Sequence, residues 1–179
     1  MNTGSRRDRA GIEAQRAQLP LLDRLIDDAP DTQLDAPLSP AEAVAILRRG
    51  VRRDIEALLN ARRRWRSWPQ GYTELAQSPV GYGISDFAAG AFNEPAERDR
   101  LRQQIEQTIR RFEPRLAQVR VVLVDADTNT LESTLRLRIE ALLRVEPAPE
   151  PIVFDTLVDP ATAEVQVKPN SADLQGSDV

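Results

Sequence analysis

Apolar residues along the chain change period once, from helical spacing to alternation, and that change divides the expected elements. Leu21, Leu22, Leu25 and Ile26 recur at helical spacing between Asp23, Arg24, Asp27 and Asp28, and Pro30 closes the segment. A short amphipathic helix is expected there, placed either to cap the core or to meet a partner. Ser39-Pro40-Ala41-Glu42 carries a cap, a first-turn proline and a capping-box glutamate in order. Val44, Leu47, Val51, Ile55, Leu58 and Leu59 then repeat every three or four residues, predicting a long helix through about Arg64. Arg48, Arg49, Arg52 and Arg53 form its polar face, read as a solvated surface or a dock for an acidic partner. A second long helix is expected from Glu94 or Pro95 to Phe112, capped by Asn93, with Leu101, Ile105, Ile109 and Phe112 as its stripe.

After Pro114 the period falls to two. Val119 to Val124 alternate, Asp125 to Thr130 is turn material, and Leu135, Leu137, Ile139, Ala141 and Leu143 share one face of a long strand. Ile152 to Val158 reads as a third strand and Glu164 to Lys168 as a fourth, paired with it. Helices first and strands second predict an α+β fold: two long helices and a short N-terminal helix packed on a mostly antiparallel sheet of about four strands. Residues 19–168 form one domain in this reading, between a flexible arm (1–18) and a disordered acidic tail (169–179). Trp65 to Asn93, rich in proline and glycine, is a long ordered loop whose Trp65, Trp68, Tyr72, Tyr82, Phe87 and Phe92 are expected to tuck under it.

Composition narrows the chemistry. The 179 residues include no cysteine and no histidine, which excludes thiolate nucleophiles, imidazole bases, Ser-His-Asp triads and ordinary zinc sites. No catalytic residue, metal or cofactor is expected. Arginine supplies 23 of the 24 basic residues, consistent with carboxylate or phosphate recognition or simply with biased codon usage. The net charge of -4 argues against a nucleic-acid binder. Ser78 to Gly83 lacks the Gly-Lys-Ser/Thr ending of a phosphate loop. No apolar run reaches the ~18 residues of a membrane helix, and the start has no signal-peptide core, so a cytoplasmic location without membrane insertion is expected.

Several short motifs then occur together: Leu21-Leu22-Asp23-Arg24-Leu25, Val51 to Asn60, Gly81-Tyr82-Gly83-Ile84-Ser85-Asp86-Phe87, Ile109-Arg110-Arg111-Phe112-Glu113-Pro114-Arg115-Leu116, Leu135 to Leu143, and Phe154-Asp155-Thr156. In this order, over about residues 20–168, the chain resembles the TssE family, the baseplate wedge subunit of the type VI secretion system, related to wedge proteins of contractile phage tails. Gly81 and Ser85 stand where that family more often has asparagine and proline. The resemblance implies a non-enzymatic structural protein at the inner face of the inner membrane. It would link the TssF and TssG wedge to the first ring of the TssB and TssC sheath and help to initiate sheath assembly, with TssK reached through the wedge.

The resemblance also assigns residues. Glu113, Pro114 and Arg115 would attach to the wedge, where the residues alone allow either a partner contact or a helix stop with an internal ion pair. Leu21, Leu22, Asp23, Arg24 and Leu25 would form an N-terminal partner-binding segment. Leu135, Leu137, Ile139, Ile152, Phe154, Thr156, Val165 and Val167 would form sheath-docking strands, where the residues alone allow strands that finish the core. A subunit of a phage-derived contractile device is the alternative. A peptidoglycan-cleaving muramidase, attributed to relatives by analogy, is a remote one, with Glu74 and Asp86 as available carboxylates.

Overall fold

The computed structural model describes residue 25 and residues 39–63, 71–85, 94–124, 135–146, 148–159 and 162–170. Ser39 caps α1 (Pro40–Asn60): its hydroxyl accepts from the Glu42 N–H at 3.2 Å and Glu42 returns a bond to the Ser39 N–H at 2.7 Å, completing the capping box. The helix ends at Asn60, four residues before the periodicity suggested. The main chain of Ala61 to Arg63 turns aside to bond Ile84, which satisfies it outside a helix. Ala43, rather than Val44, is the buried residue of the first turns.

Helix α2 (Pro95–Phe112) begins at Glu94, which has no side-chain cap bond; the cap expected at Asn93 lies outside the described residues. The short helix expected around Leu21 also lies outside them, except that Leu25 is helical and 73% exposed. Four strands follow: β1 (Leu116–Val124), β2 (Leu135–Leu143), β3 (Glu150–Val158) and β4 (Val165–Pro169). They form one antiparallel sheet in chain order, β1-β2-β3-β4. The α+β reading and the four strands therefore stand.

Both helices cover one face of the sheet, α1 along β4 and α2 along β1. Between them lies a single core of aliphatic side chains: Leu47, Val51, Ile55 and Leu59 from α1, Leu101, Ile105 and Ile109 from α2, and the inward positions of every strand. Strand alternation places those inward residues on one side, as the period of two requires. Each helix also reaches over a sheet border with polar side chains, so the arginine face of α1 is not simply solvated. Arg48 bonds Glu150 at 3.0 Å and Arg52 bonds the Val167 carbonyl at 3.1 Å.

The described part of the long loop holds two short 3-10 helices, Thr73–Gln77 and Pro79–Gly81. Tyr72 is 61% exposed, contrary to the expectation that it tucks under the loop; Trp65, Trp68, Phe87 and Phe92 lie outside the described residues. The loop is pinned through Ile84, which is buried in the core, exchanges main-chain bonds with Ala61 and Arg63, and follows Gly83 at φ +96°. A Cβ at Gly83 would overlap the Ala61 carbonyl and occupy a backbone region hostile to L side chains.

Gly83→Ala is accordingly expected to destabilise the fold by about 2 kcal/mol or more, read as a fall of roughly 4–8 °C in melting temperature. Gly71→Ala, whose Cβ would meet open space, should stay within about 1 °C; equal effects at the two sites would remove the pinning role assigned to Gly83.

Candidate functional site

Pro114 cannot continue α2 and drives the residue before it out of helical geometry, so Glu113 takes φ −118°, ψ 80° at the helix end. Its N–H still bonds the Ile109 carbonyl at 2.8 Å, and its own carbonyl accepts from Leu116 at 3.2 Å, which starts β1. The corner is therefore fixed from both sides. Its carboxylate, 4% exposed, turns inward rather than toward solvent.

There it meets Arg115. Glu113 Oε1 accepts from the Arg115 Nε at 2.6 Å and from the Arg115 main-chain N–H at 3.2 Å, while Oε2 accepts from the guanidinium's Nη2. The same Nη2 donates to Asp54 Oδ2 of α1 at 2.7 Å. Two carboxylates thus grip one guanidinium in a forked arrangement that lysine could not reproduce. Bonding to Glu113 above all raises the Arg115 proton affinity, against the opposing effect of burial and with Asp54 assisting. The acid and base of this corner are not offered outward; they form an internal tie between α1, the end of α2 and β1.

What the corner does offer is a groove of about 400 Å³, lined by Asp54, Leu58, Tyr82, Phe112, Glu113, Pro114 and Arg115. Tyr82 stands at 39% exposure with its ring edge-on to Phe112, centroids 5.4 Å apart. Its phenol is pushed above its ordinary pKa by burial first, then by the charges of Asp54 and Glu113. An aromatic and aliphatic floor beside fixed charges suits the docking of a protein side chain. Sequence reading missed Asp54 and the pairing of Tyr82 with Phe112. These residues lie far apart along the chain; the motifs from Val51 to Asn60, Gly81 to Phe87 and Ile109 to Leu116 contain one each, but no local pattern brings them together.

The other assigned residues lie elsewhere. Leu21, Leu22, Asp23 and Arg24 fall outside the described residues, and Leu25 alone of that segment is described. Leu135, Leu137, Ile139, Ile152, Phe154, Thr156, Val165 and Val167 are all buried on the helix-covered face, at 7% exposure or less. Their side chains build the core, so a partner strand could use only main-chain groups at β1 or β4, the two border strands. Glu74 is exposed and Asp86 lies outside the described residues. Among the described residues no helix is long and apolar enough to cross a membrane, and no group of acidic side chains could hold a metal ion.

Comparison with known protein families gives a match. Residues 45–148, from the second turn of α1 to the segment between β2 and β3, match the family model of baseplate wedge protein gp25. No curated protein matches the chain. The matched span contains every residue that lines the groove.

Replacing Glu113 with alanine would leave Arg115, 24% exposed, without its main partner and the Arg115 N–H without an acceptor. A loss of about 2 kcal/mol is expected, or roughly 4–8 °C in melting temperature, with Glu113→Gln intermediate. The electrostatics are checked separately by ultraviolet titration. Because the raised folded value of Tyr82 makes its ionisation costlier in the fold, stability should decline as pH climbs past the ordinary tyrosine range. Asp54→Asn should bring the phenol partway back, since burial remains.

Proposed function

The chain belongs to the baseplate wedge protein gp25 family, and from that premise we propose that it is a non-enzymatic subunit of a type VI secretion baseplate. In this reading it joins the TssF and TssG wedge to the first TssB and TssC ring of the contractile sheath and helps that sheath to start. Family membership itself makes it a baseplate wedge subunit of the contractile-tail type; the secretion-system role is the finer step.

The observation that carries the proposal is the groove at the α2–β1 corner. The Glu113, Pro114 and Arg115 signature lines it, but Glu113 and Arg115 serve by fixing its shape. A joint that transmits force needs a docking surface that does not deform under load. A proline stop, a two-carboxylate clamp and a helix end bonded to the next strand supply that stiffness. The partner contact then falls to the exposed lining, with Tyr82 as anchor and TssF or TssG as the wedge component that enters.

The absence of histidine and cysteine from the sequence supports the non-enzymatic reading, since what remains for glycoside cleavage is a pair of carboxylates. In the groove the two nearest, Asp54 and Glu113, both accept hydrogen bonds from Arg115, which engages them in the internal tie rather than presenting them to a substrate. The alternative within the same family is a subunit of a phage-derived contractile device; it would use the same groove with a different wedge pair.

Tyr82→Ala should weaken capture of the full chain by a purified TssF and TssG pair at least about tenfold, while melting falls by no more than roughly 4 °C. Unchanged capture would refute the groove as the wedge contact. Release of soluble fragments from purified peptidoglycan by the wild-type chain would overturn the non-enzymatic reading.

A further inference from the structure

Both long helices lie on one face of the sheet, and among the described residues no element covers the other. Outward positions alternate with core positions along each strand. Toward one end of the outer face Leu142 on β2 stands opposite Pro151 on β3, and Val153 is the next outward residue of β3. Leu142 and Val153 are half-buried and Pro151 is exposed, so the three make a small apolar patch open to solvent. Charge surrounds it. Glu140 stands between Val153 and Arg120, while Arg138 bonds Asp155 at 3.0 Å and Lys168 lies opposite Asp155 on β4. With Arg136 farther along β2, the outer face sets four cations (Arg120, Arg136, Arg138, Lys168) against two carboxylates (Glu140, Asp155) and is net positive.

The chain itself carries a segment of the complementary kind. Leu21, Leu22, Leu25 and Ile26 recur at helical spacing. Leu25 is helical and 73% exposed, an apolar side chain with little to cover it. On a helical wheel Asp23 and Asp28 flank this stripe on opposite sides, and Asp27 lies across from it. Against the one cation Arg24, these three aspartates make residues 21–28 net negative. Six residues of helix are about 9 Å long, the width of two strand spacings of about 4.8 Å.

Position fits as well as charge. Arg48 of α1 bonds Glu150 at 3.0 Å and the Pro151 carbonyl at 3.5 Å, so the patch lies at the end of the sheet where the first half of α1 runs. Ten residues, 29–38, separate Asp28 from the Ser39 cap. Extended, they reach up to roughly 33 Å, against about 10–12 Å for the helix diameter to be passed. A tether of that length holds the segment at an effective concentration on the order of millimolar, so a contact too weak to join separate molecules closes within one.

We propose that the outer-face patch is a docking site for the chain's own segment Leu21–Asp28. Leu21, Leu22, Leu25 and Ile26 pack on Leu142, Pro151 and Val153, while Asp23 and Asp28 face the cations around the patch. The exposed Leu25 marks the open arrangement, and docking closes it. A partner that takes the same stripe must first displace it from the sheet. This goes beyond the baseplate reading, and its test involves neither wedge nor sheath subunits.

The full chain has no cysteine, so Ala29→Cys supplies a single thiol for a nitroxide label beside the stripe without altering it. The label should broaden the methyl signals of outward Leu142 and Val153 more than those of inward Ala141 and Ile152. The excess should vanish in Leu25→Glu, a change outside the folded core, and in Val153→Glu. Reversing both flanking charges, with Asp23→Lys and Asp28→Lys together, should cut it about threefold or more, whereas Asp27→Lys should leave it unchanged. Equal broadening on the two faces, or broadening that survives Leu25→Glu, would overturn the docking site. An equal response to Asp27→Lys and to the double reversal would overturn the assigned orientation. Broadening that appears when labelled chain is mixed with unlabelled, isotope-enriched chain would make the occupant a second copy and overturn the intramolecular contact.

Discussion

An open four-stranded sheet has two rows of main-chain groups that nothing in the sheet can pair, and this structure is organised around satisfying them from within. Each helix lies along a border strand and lowers an arginine and a glutamate, four residues apart, onto one valine: Arg52 and Glu56 onto Val167, Arg102 and Glu106 onto Val121. A third side chain one turn on, Asn60 or Arg110, takes a neighbouring valine. An arginine preceding glutamate is the weaker order for helix stability. It makes sense once the pair is seen to serve the sheet: one side chain donates, the next accepts, and together they present what a strand residue would.

The same economy governs the ends of the helices. Arg62, just beyond α1, bonds the Leu59 carbonyl at 2.9 Å and also the Ala163 carbonyl, so one guanidinium closes the helix and holds the β3–β4 turn. Arg115 ties the end of α2 to Asp54 on α1. In a chain whose cations are nearly all arginine, the planar fork is used repeatedly to join two main-chain or carboxylate acceptors that no single lysine could span.

These ties differ in exposure from one side of the sheet to the other. The groove lies at the α2–β1 corner, where Glu113, Arg115 and Asp54 make the backbone rigid; the covered β4 border lies on the far strand of the sheet, where Arg52 and Glu56 are half exposed. The core between them is continuous from α2 across all four strands.

Periodicity alone determined the two long helices, the four strands and most of the core, because burial on one face imposes a repeat that can be read position by position. Ser39 to Glu42 fixed the start of α1, because its bonds are local. The end of α1, the inward turn of Glu113 and the work of its arginine face were decided by tertiary structure. Each depends on a partner distant in sequence: Ile84 for the helix end, Asp54 for the corner, Val167 for Arg52. The eight strand residues read as a docking surface illustrate the same limit. Alternation shows that they share a face, and only the packing of two helices against that face settles that it is the buried one, since a repeat of two has no sign until something covers one side.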